Sequence, residues 1–302
     1  MLKKVSTIAP LIFGGVALFF VFRGIDLGKV VPIFHKTNFI LLIPALITFG
    51  LGLKLKTNRW QILTGNTIAK KTLFYTLMVG YLVNNILPAR LGEMARVYLV
   101  GVKYKNGIKR TLMGIVVEKV LDIAVLVFGL GLVFLCVPSL RYELNSKYIL
   151  GMVLPKPLLD KVTMISSNFQ RYNKLTLGKL TLISLLIWGL EILWTYILLL
   201  SQNINVGLIA AISLVTVINL SFVFPSPPGY LGVYDFFIVM VLTFWGVPKT
   251  QALTFALYEH GLEYILLSFL GCYSAYKISF NPFDTQNWIN NKTKRPFNGG
   301  YR

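Results

Sequence analysis

Acidic residues are scarce in this sequence. Only 11 Asp and Glu stand against 30 Lys and Arg, and charged residues of both signs fill 14% of 302 positions, against roughly 25% in a soluble domain. Cysteine is nearly absent too. Cys136 and Cys272 both sit in apolar runs, which excludes a disulfide framework and a CxxC redox or metal site. With two histidines, His35 in a loop and His260 in a helix, metal and Ser-His chemistry lack their usual side chains. The sequence contains no P-loop, GxSxG, HExxH or DDxxD motif. No polar stretch is long enough for a large soluble catalytic domain, and no cofactor is expected.

Apolar sequence fills the space. Hydrophobic residues make up 55%, mean hydropathy is +0.68 and the formal net charge is +19. A nucleic-acid binder could share the pI of 9.9, but it would not carry so much apolar sequence. These features predict an all-α polytopic membrane protein with basic loops. About eight hydrophobic segments stand out, near 6–22, 38–53, 72–88, 111–137, 180–200, 206–224, 229–247 and 250–276. A spanning helix needs roughly 17–25 such residues, so the second and third are marginal. The first follows Lys3 and Lys4 and has no small-x-small cleavage site, so it reads as an uncleaved anchor. Residues 1–278 are expected to form one bundle, followed by a polar basic tail at 279–302.

Basic residues collect on the cytoplasmic side of a membrane. Residues 54–71 and 96–110 each hold five basic residues and no acid. A re-entrant hairpin, entering at 72 and returning by 96, would keep both clusters inside. It would also place the basic stretch 138–179 outside, against the same rule. Either arrangement puts both termini in the cytoplasm, and a plasma-membrane location is expected.

The acids that remain are concentrated at depth. Glu93, Glu118, Asp122, Glu191, Asp235, Glu259 and Glu263 all lie in or against apolar segments. An ionisable group at membrane depth costs at least roughly 2.5–3.5 kcal/mol, so such groups face an interior and find partners. Glu118 and Asp122 are four apart, as are Glu259 and Glu263, and each pair shares a helix face. They are either structural links between helices or the lining of a polar path.

Two Pro/Gly breaks interrupt the apolar pattern. The first run contains Asn84, Asn85, Pro88, Arg90, Gly92, Glu93 and Arg96. Broken backbone at membrane depth is tolerated only where protein buries it or a wet cavity adjoins it. Arg90, Glu93 and Arg96, three apart, form a strip suited either to an anionic head group or to a salt-bridge cluster at the interface. The second run, Pro225, Pro227, Pro228, Gly229, Gly232 and Asp235, can start a helix inside the bilayer with free backbone donors, or can be an ordinary turn. Paired breaks in two halves point to a transporter's midplane site. The five tryptophans, Trp60, Trp188, Trp194, Trp245 and Trp288, read as interface anchors.

The run at 85–96, Asn-x-x-Pro-x-Arg-x-Gly-Glu-x-x-Arg, resembles the flippase-like family named for the transmembrane region of lysylphosphatidylglycerol synthase. So do Glu118, Lys119 and Asp122, the stretch from Pro225 to Asp235, Trp188 with Glu191, and the Gly246-Val247 turn. The likeness covers roughly 55–275. It departs from the usual pattern at Lys119 for Arg, Tyr230 for Gly and Asp235 for Glu, and no counterpart of the soluble aminoacyl-transfer domain is expected here. The resemblance implies a flippase-like translocator of an anionic phospholipid or a polyprenyl-phosphate-linked precursor. Arg90 and Arg96 would bind phosphate, and the Pro228-Gly229 helix start would supply donors. Glu118, Asp122, Glu191 and Glu259 would line the path and carry protons. The alternatives are a membrane partner of a separate glycosyl- or aminoacyl-transferase, and an intramembrane transferase using Glu93 or Asp122.

Overall fold

The computed structural model describes residues 14–24, 28, 30–87, 91–137, 172–222 and 226–283. Among them the regular structure is entirely helical. Helix α1 covers residues 14–22, α2 Val30–His35, α3 Leu42–Leu63, α4 Lys70–Ile86 and α5 Gly92–Arg96, which continues as a π-helical stretch over Val97–Lys103. Then come α6 (Ile108–Cys136), α7 (Lys174–Ser201), α8 (Gly207–Ser221), a 3₁₀ turn at Pro228–Tyr230, α9 (Val233–Phe244) and α10 (Lys249–Lys277).

Three helical stretches, Phe39–Leu63, Ile108–Cys136 and Lys174–Ser201, are long and apolar enough to cross a membrane, and Gly207–Ser221 and Pro228–Phe244 are shorter apolar helices. The chain is an integral membrane protein with several apolar helices. The helices that fall on the expected apolar segments are of unequal length. α10 is as long as α6, at 29 residues, but carries Glu259, His260 and Glu263 midway.

Contacts between distant residues define two ends of the bundle. At the first, the Tyr172 hydroxyl donates to the Leu63 carbonyl (3.3 Å), Thr67 Oγ1 donates to Asn106 Oδ1 (2.9 Å), and Lys103 Nζ donates to the Ile278 carbonyl. At the second, the Asn38 N–H donates to the Ser201 carbonyl (2.7 Å) and Lys249 Nζ donates to the Phe20 and Arg23 carbonyls. The basic clusters near 70 and 105 therefore share one end, as the re-entrant reading of segment three requires. α6 and α7 run parallel: Asp122 meets Trp188, while Gly129 packs against Thr216 and Ile212 of α8. α6 thus finishes at the second end and α7 starts at the first. The stretch 138–171 that joins them lies outside the described residues.

Two half-length hairpins enter from opposite ends. α4 runs inward from the first end and stops at Ile86, and α5, starting at Gly92, doubles back along it. The Gly92 N–H donates to Asn84 Oδ1 at 2.7 Å. A Cβ on Gly92 would lie 2.1 Å from the Gly80 carbonyl oxygen, and one on Gly80 would lie 2.9 Å from Arg96 Cδ. The two glycines allow the arms to touch. From the second end, α8 runs inward and α9 runs back, with the turn between them held by Gly229 at φ +64° and Gly232 at φ +82°. The inner ends meet beside α10: Asn85 Nδ2 donates to Ser268 Oγ (3.0 Å), Tyr264 OH donates to the Asn85 carbonyl (3.4 Å), and Gly229 packs against both Tyr264 and Asn85. We expect Gly92→Ala to lower stability by at least about 1–3 kcal/mol, since the obstacle is backbone and cannot rotate away. Thermal unfolding in detergent measures it, and an unchanged midpoint would contradict this packing.

The outer faces of the long helices are apolar and exposed, with Ile43, Ile47, Phe128, Leu135, Leu182, Leu186, Ile265 and Phe269 among them. Tryptophan departs from expectation. Trp60, Trp188 and Trp194 are buried rather than at an interface, because each ring packs or hydrogen-bonds against interior groups. Trp288 lies outside the described residues.

Candidate functional site

An interior cavity of about 320 Å³ opens where the two hairpins meet α3, α6, α7 and α10. Its wall collects side chains that are far apart in sequence. Asn84, Asn85, Gly92, Glu93 and Arg96 come from the first hairpin, Glu118, Lys119 and Asp122 from α6, Glu191 from α7, Gly229 from the second hairpin's turn, and Glu259 and His260 from α10. Of the residues singled out in the sequence, Pro228, Gly232 and Asp235 do not line it, and Arg90 lies outside the described residues.

Helical spacing explains how each wall is built. Glu118 and Asp122 sit one turn apart on α6, and Lys56 and Arg59 one turn apart on α3. The two strips face each other. Arg59 donates through Nη1 to Asp122 Oδ1 (2.6 Å) and to Ser184 Oγ (2.9 Å), and through Nη2 to Asp122 Oδ2 (3.2 Å). Asp122 Oδ1 also accepts from Trp188 Nε1 at 3.1 Å. Arg96 holds Glu118 with both ends of its fork, at 3.1 and 2.8 Å, and its guanidinium carbon lies 4.2 Å from the Trp60 ring centre. Glu118 is also 3.9 Å from Arg59, so one carboxylate bridges two arginines. Lys56 reaches Glu191 at 2.5 Å. Lys119 pairs with Glu93 at 3.3 Å, and its side chain is about half exposed.

The second hairpin is fixed differently. His260 Nδ1 faces Asp235 Oδ1 at 3.0 Å and Nε2 faces the Gly229 carbonyl at 2.8 Å. The Gly229 carbonyl can only accept, so Nε2 carries a hydrogen, and with Asp235 as a carboxylate Nδ1 carries one too, which makes the pair an imidazolium with its counter-ion. Asp235 Oδ2 also accepts from the Gly232 N–H at 3.0 Å and caps α9. The charge preference of this helix start is met by the chain's own carboxylate, where the sequence suggested free donors for an anion.

Sequence reasoning missed several groups. Lys56 and Arg59 fell in a basic cluster read as a cytoplasmic loop, yet α3 carries both into the interior. Tyr81, Thr195 and Tyr234 also line the cavity, as does Glu263, which the sequence placed among the acids at depth. One signal could have found the cations: so many acids at depth require counter-charges, and Lys56 and Arg59 have a one-turn spacing. In total, four basic side chains, Lys56, Arg59, Arg96 and Lys119, line the cavity beside six acidic ones, Glu93, Glu118, Asp122, Glu191, Glu259 and Glu263.

Comparison with known proteins gives a consistent picture. The family profile described as the lysylphosphatidylglycerol synthase TM region matches residues 7–159 and 154–271. A UPF0104 membrane protein of Methanothermobacter thermautotrophicus is 22% identical over 312 residues, covering 86% of this chain and 92% of that protein. No solved structure matches the chain.

Proposed function

The chain belongs to the lysylphosphatidylglycerol synthase TM-region family, and from that premise we propose that it moves a phosphate-bearing lipid head group across the plasma membrane through the interior cavity. The substrate class is an anionic phospholipid or a polyprenyl-phosphate-linked precursor, and both termini face the cytoplasm. The observation that carries this reading is the placement of buried, reciprocally paired charges around a cavity where two half-length hairpins meet.

Such pairs suit a transport site. With the cavity empty, Glu118 and Asp122 satisfy Arg96 and Arg59, so neither arginine is left bare at depth. A phosphate entering the cavity is an alternative acceptor of the same forked geometry. The Nε of each arginine carries no protein partner among the described residues, so a donor remains on each after the carboxylate is bound. Asn84 and Lys119 add polar contacts along the same wall. The lipid tails would stay against the apolar outer faces while the head group crosses.

Reconstitution into vesicles with fluorescent phospholipid or polyprenyl-phosphate probes tests this. An impermeant quencher reaches about half of a probe confined to its leaflets, so quenching well beyond half reports translocation. Arg96→Lys keeps the charge and loses the fork, and we expect it to slow translocation about tenfold or more, the equivalent of one charged hydrogen bond. Quenching held at one half for every probe, from normally folded protein, would overturn the translocator reading in favour of a partner subunit. Arg96→Lys at full rate would remove the arginine from the mechanism.

A further inference from the structure

Every basic side chain on the cavity wall is used in an ion pair: Lys56 with Glu191, Arg59 with Asp122, Arg96 with Glu118 and Lys119 with Glu93. His260 is matched by Asp235 behind the wall. Two acids on α10 have no cation at ion-pair distance among the described residues. Glu263 receives the Tyr234 hydroxyl at 3.4 Å, and Glu259 receives Thr195 Oγ1 at 2.7 Å. Glu259 is 1% exposed, and its second oxygen, Oε2, has no hydrogen-bond partner among the described residues.

A bare carboxylate in this position is expensive, because no cation nearby is free to neutralise it. Glu191 and Thr195 face it from α7, Glu263 lies one turn along α10 and Tyr234 lines the same wall from α9, while Lys56 on α3 is committed to Glu191 and the neighbouring His260 to Asp235. Burial without a counter-charge is relieved most simply by a proton, which turns an anion into a neutral acid. No group of three or more His, Cys, Asp or Glu among the described residues could hold a metal ion, so the geometry offers no cage for a cation of that kind.

We propose that Glu259 is a proton-binding site on the cavity wall, and that its proton is exchanged with one side of the membrane each time a head group crosses. The coupling rests on the translocator reading; the proton site does not. The step balances as Glu–COOH giving Glu–COO⁻ and a proton, which passes to water when the cavity is wet and returns from the other side when it closes. Glu118, Asp122 and Glu191 each hold a cation, which leaves Glu259 as the one of the four acids expected from the sequence with none at ion-pair distance among the described residues.

Two measurements separate the claims. Infrared difference spectroscopy of the full chain in lipid should show a protonated-carboxyl band at neutral pH that is lost in Glu259→Gln, is retained in Glu93→Gln, and disappears in the wild type as pH rises. A band unchanged in Glu259→Gln would overturn the proton site whether or not lipid moves. In vesicles, a gradient of one pH unit should bias wild-type translocation by about tenfold per proton, and Glu259→Gln should abolish that response to the gradient. A wild type indifferent to pH gradients, or driven equally by a sodium gradient, would overturn the coupling. The infrared result without translocation of any probe would leave the proton site standing and sink the translocator reading instead.

Discussion

Glu118→Ala is expected to be among the most damaging single changes in the bundle, lowering stability by about 3–5 kcal/mol, because it leaves a buried charge without its partner. Arg96 would lose both bonds of its fork, and Arg59 would lose the nearer edge of a second carboxylate. Arg96 is 6% exposed, so water cannot substitute. The loss would be read as a lower unfolding midpoint in detergent and a smaller monodisperse fraction on purification. The double variant Arg96→Met with Glu118→Leu should regain most of the stability, since a well-packed apolar pair can match a buried ion pair. It should not regain translocation. That split separates structure from transport, and a Glu118→Ala protein as stable as the wild type would mean that this pair is not buried as described. The Lys119–Glu93 pair makes a useful contrast. With Lys119 half exposed, removing it should cost no more than about 1 kcal/mol.

Asp235→Ala should come close to Glu118→Ala in effect. One carboxylate holds the His260 imidazolium and caps α9 through Gly232, so its loss combines an unpaired buried cation with a missing cap, again about 3–5 kcal/mol. The structural consequence is local. His260 also fixes the Gly229 carbonyl, so the turn of the second hairpin would loosen where it meets Asn85 and Tyr264. Glu259→Gln touches neither partner and serves as the control. Adding His260→Phe to Asp235→Ala removes the stranded cation and should recover part of the loss in the same melting measurement. No recovery would indicate that the cap, not the ion pair, carries the effect.

Much of the site was legible in the sequence. Acids at depth are conspicuous in a chain with so few, and their four-residue spacing placed Glu118 with Asp122 on one face. The Pro/Gly breaks near 88–92 and 225–232 marked the two hairpin tips, and the meeting of those tips is a tertiary event that local pattern does not contain. The basic residues misled. Lys56 and Arg59 sit beyond the apolar stretch at 38–53, where charge counting assigns them to a loop. α3 continues through Leu63 because its remaining turns bury Trp60 and Leu63, and that apolar anchoring carries the cations inward. The tryptophans were misread for the same reason: closeness to a segment's edge says nothing about which way a ring points. Asp235 was placed in the binding set, but its two bonds are to the protein itself.

The opposed hairpins bear on how the chain is made. α4 has 17 residues and α9 has 12, giving lengths of about 25 and 18 Å, short of the roughly 30 Å of a bilayer's hydrocarbon core. Neither can be released into lipid as a finished span, with its inner end open and polar. The wall that closes the first tip is α10, and Asn85 meets Tyr264 across 179 residues of sequence. A ribosome that has delivered α4 and α5 must therefore complete nearly the whole chain before that tip finds its partner. Until then the nascent hairpin depends on the insertion machinery, or on α3 beside it, for shelter.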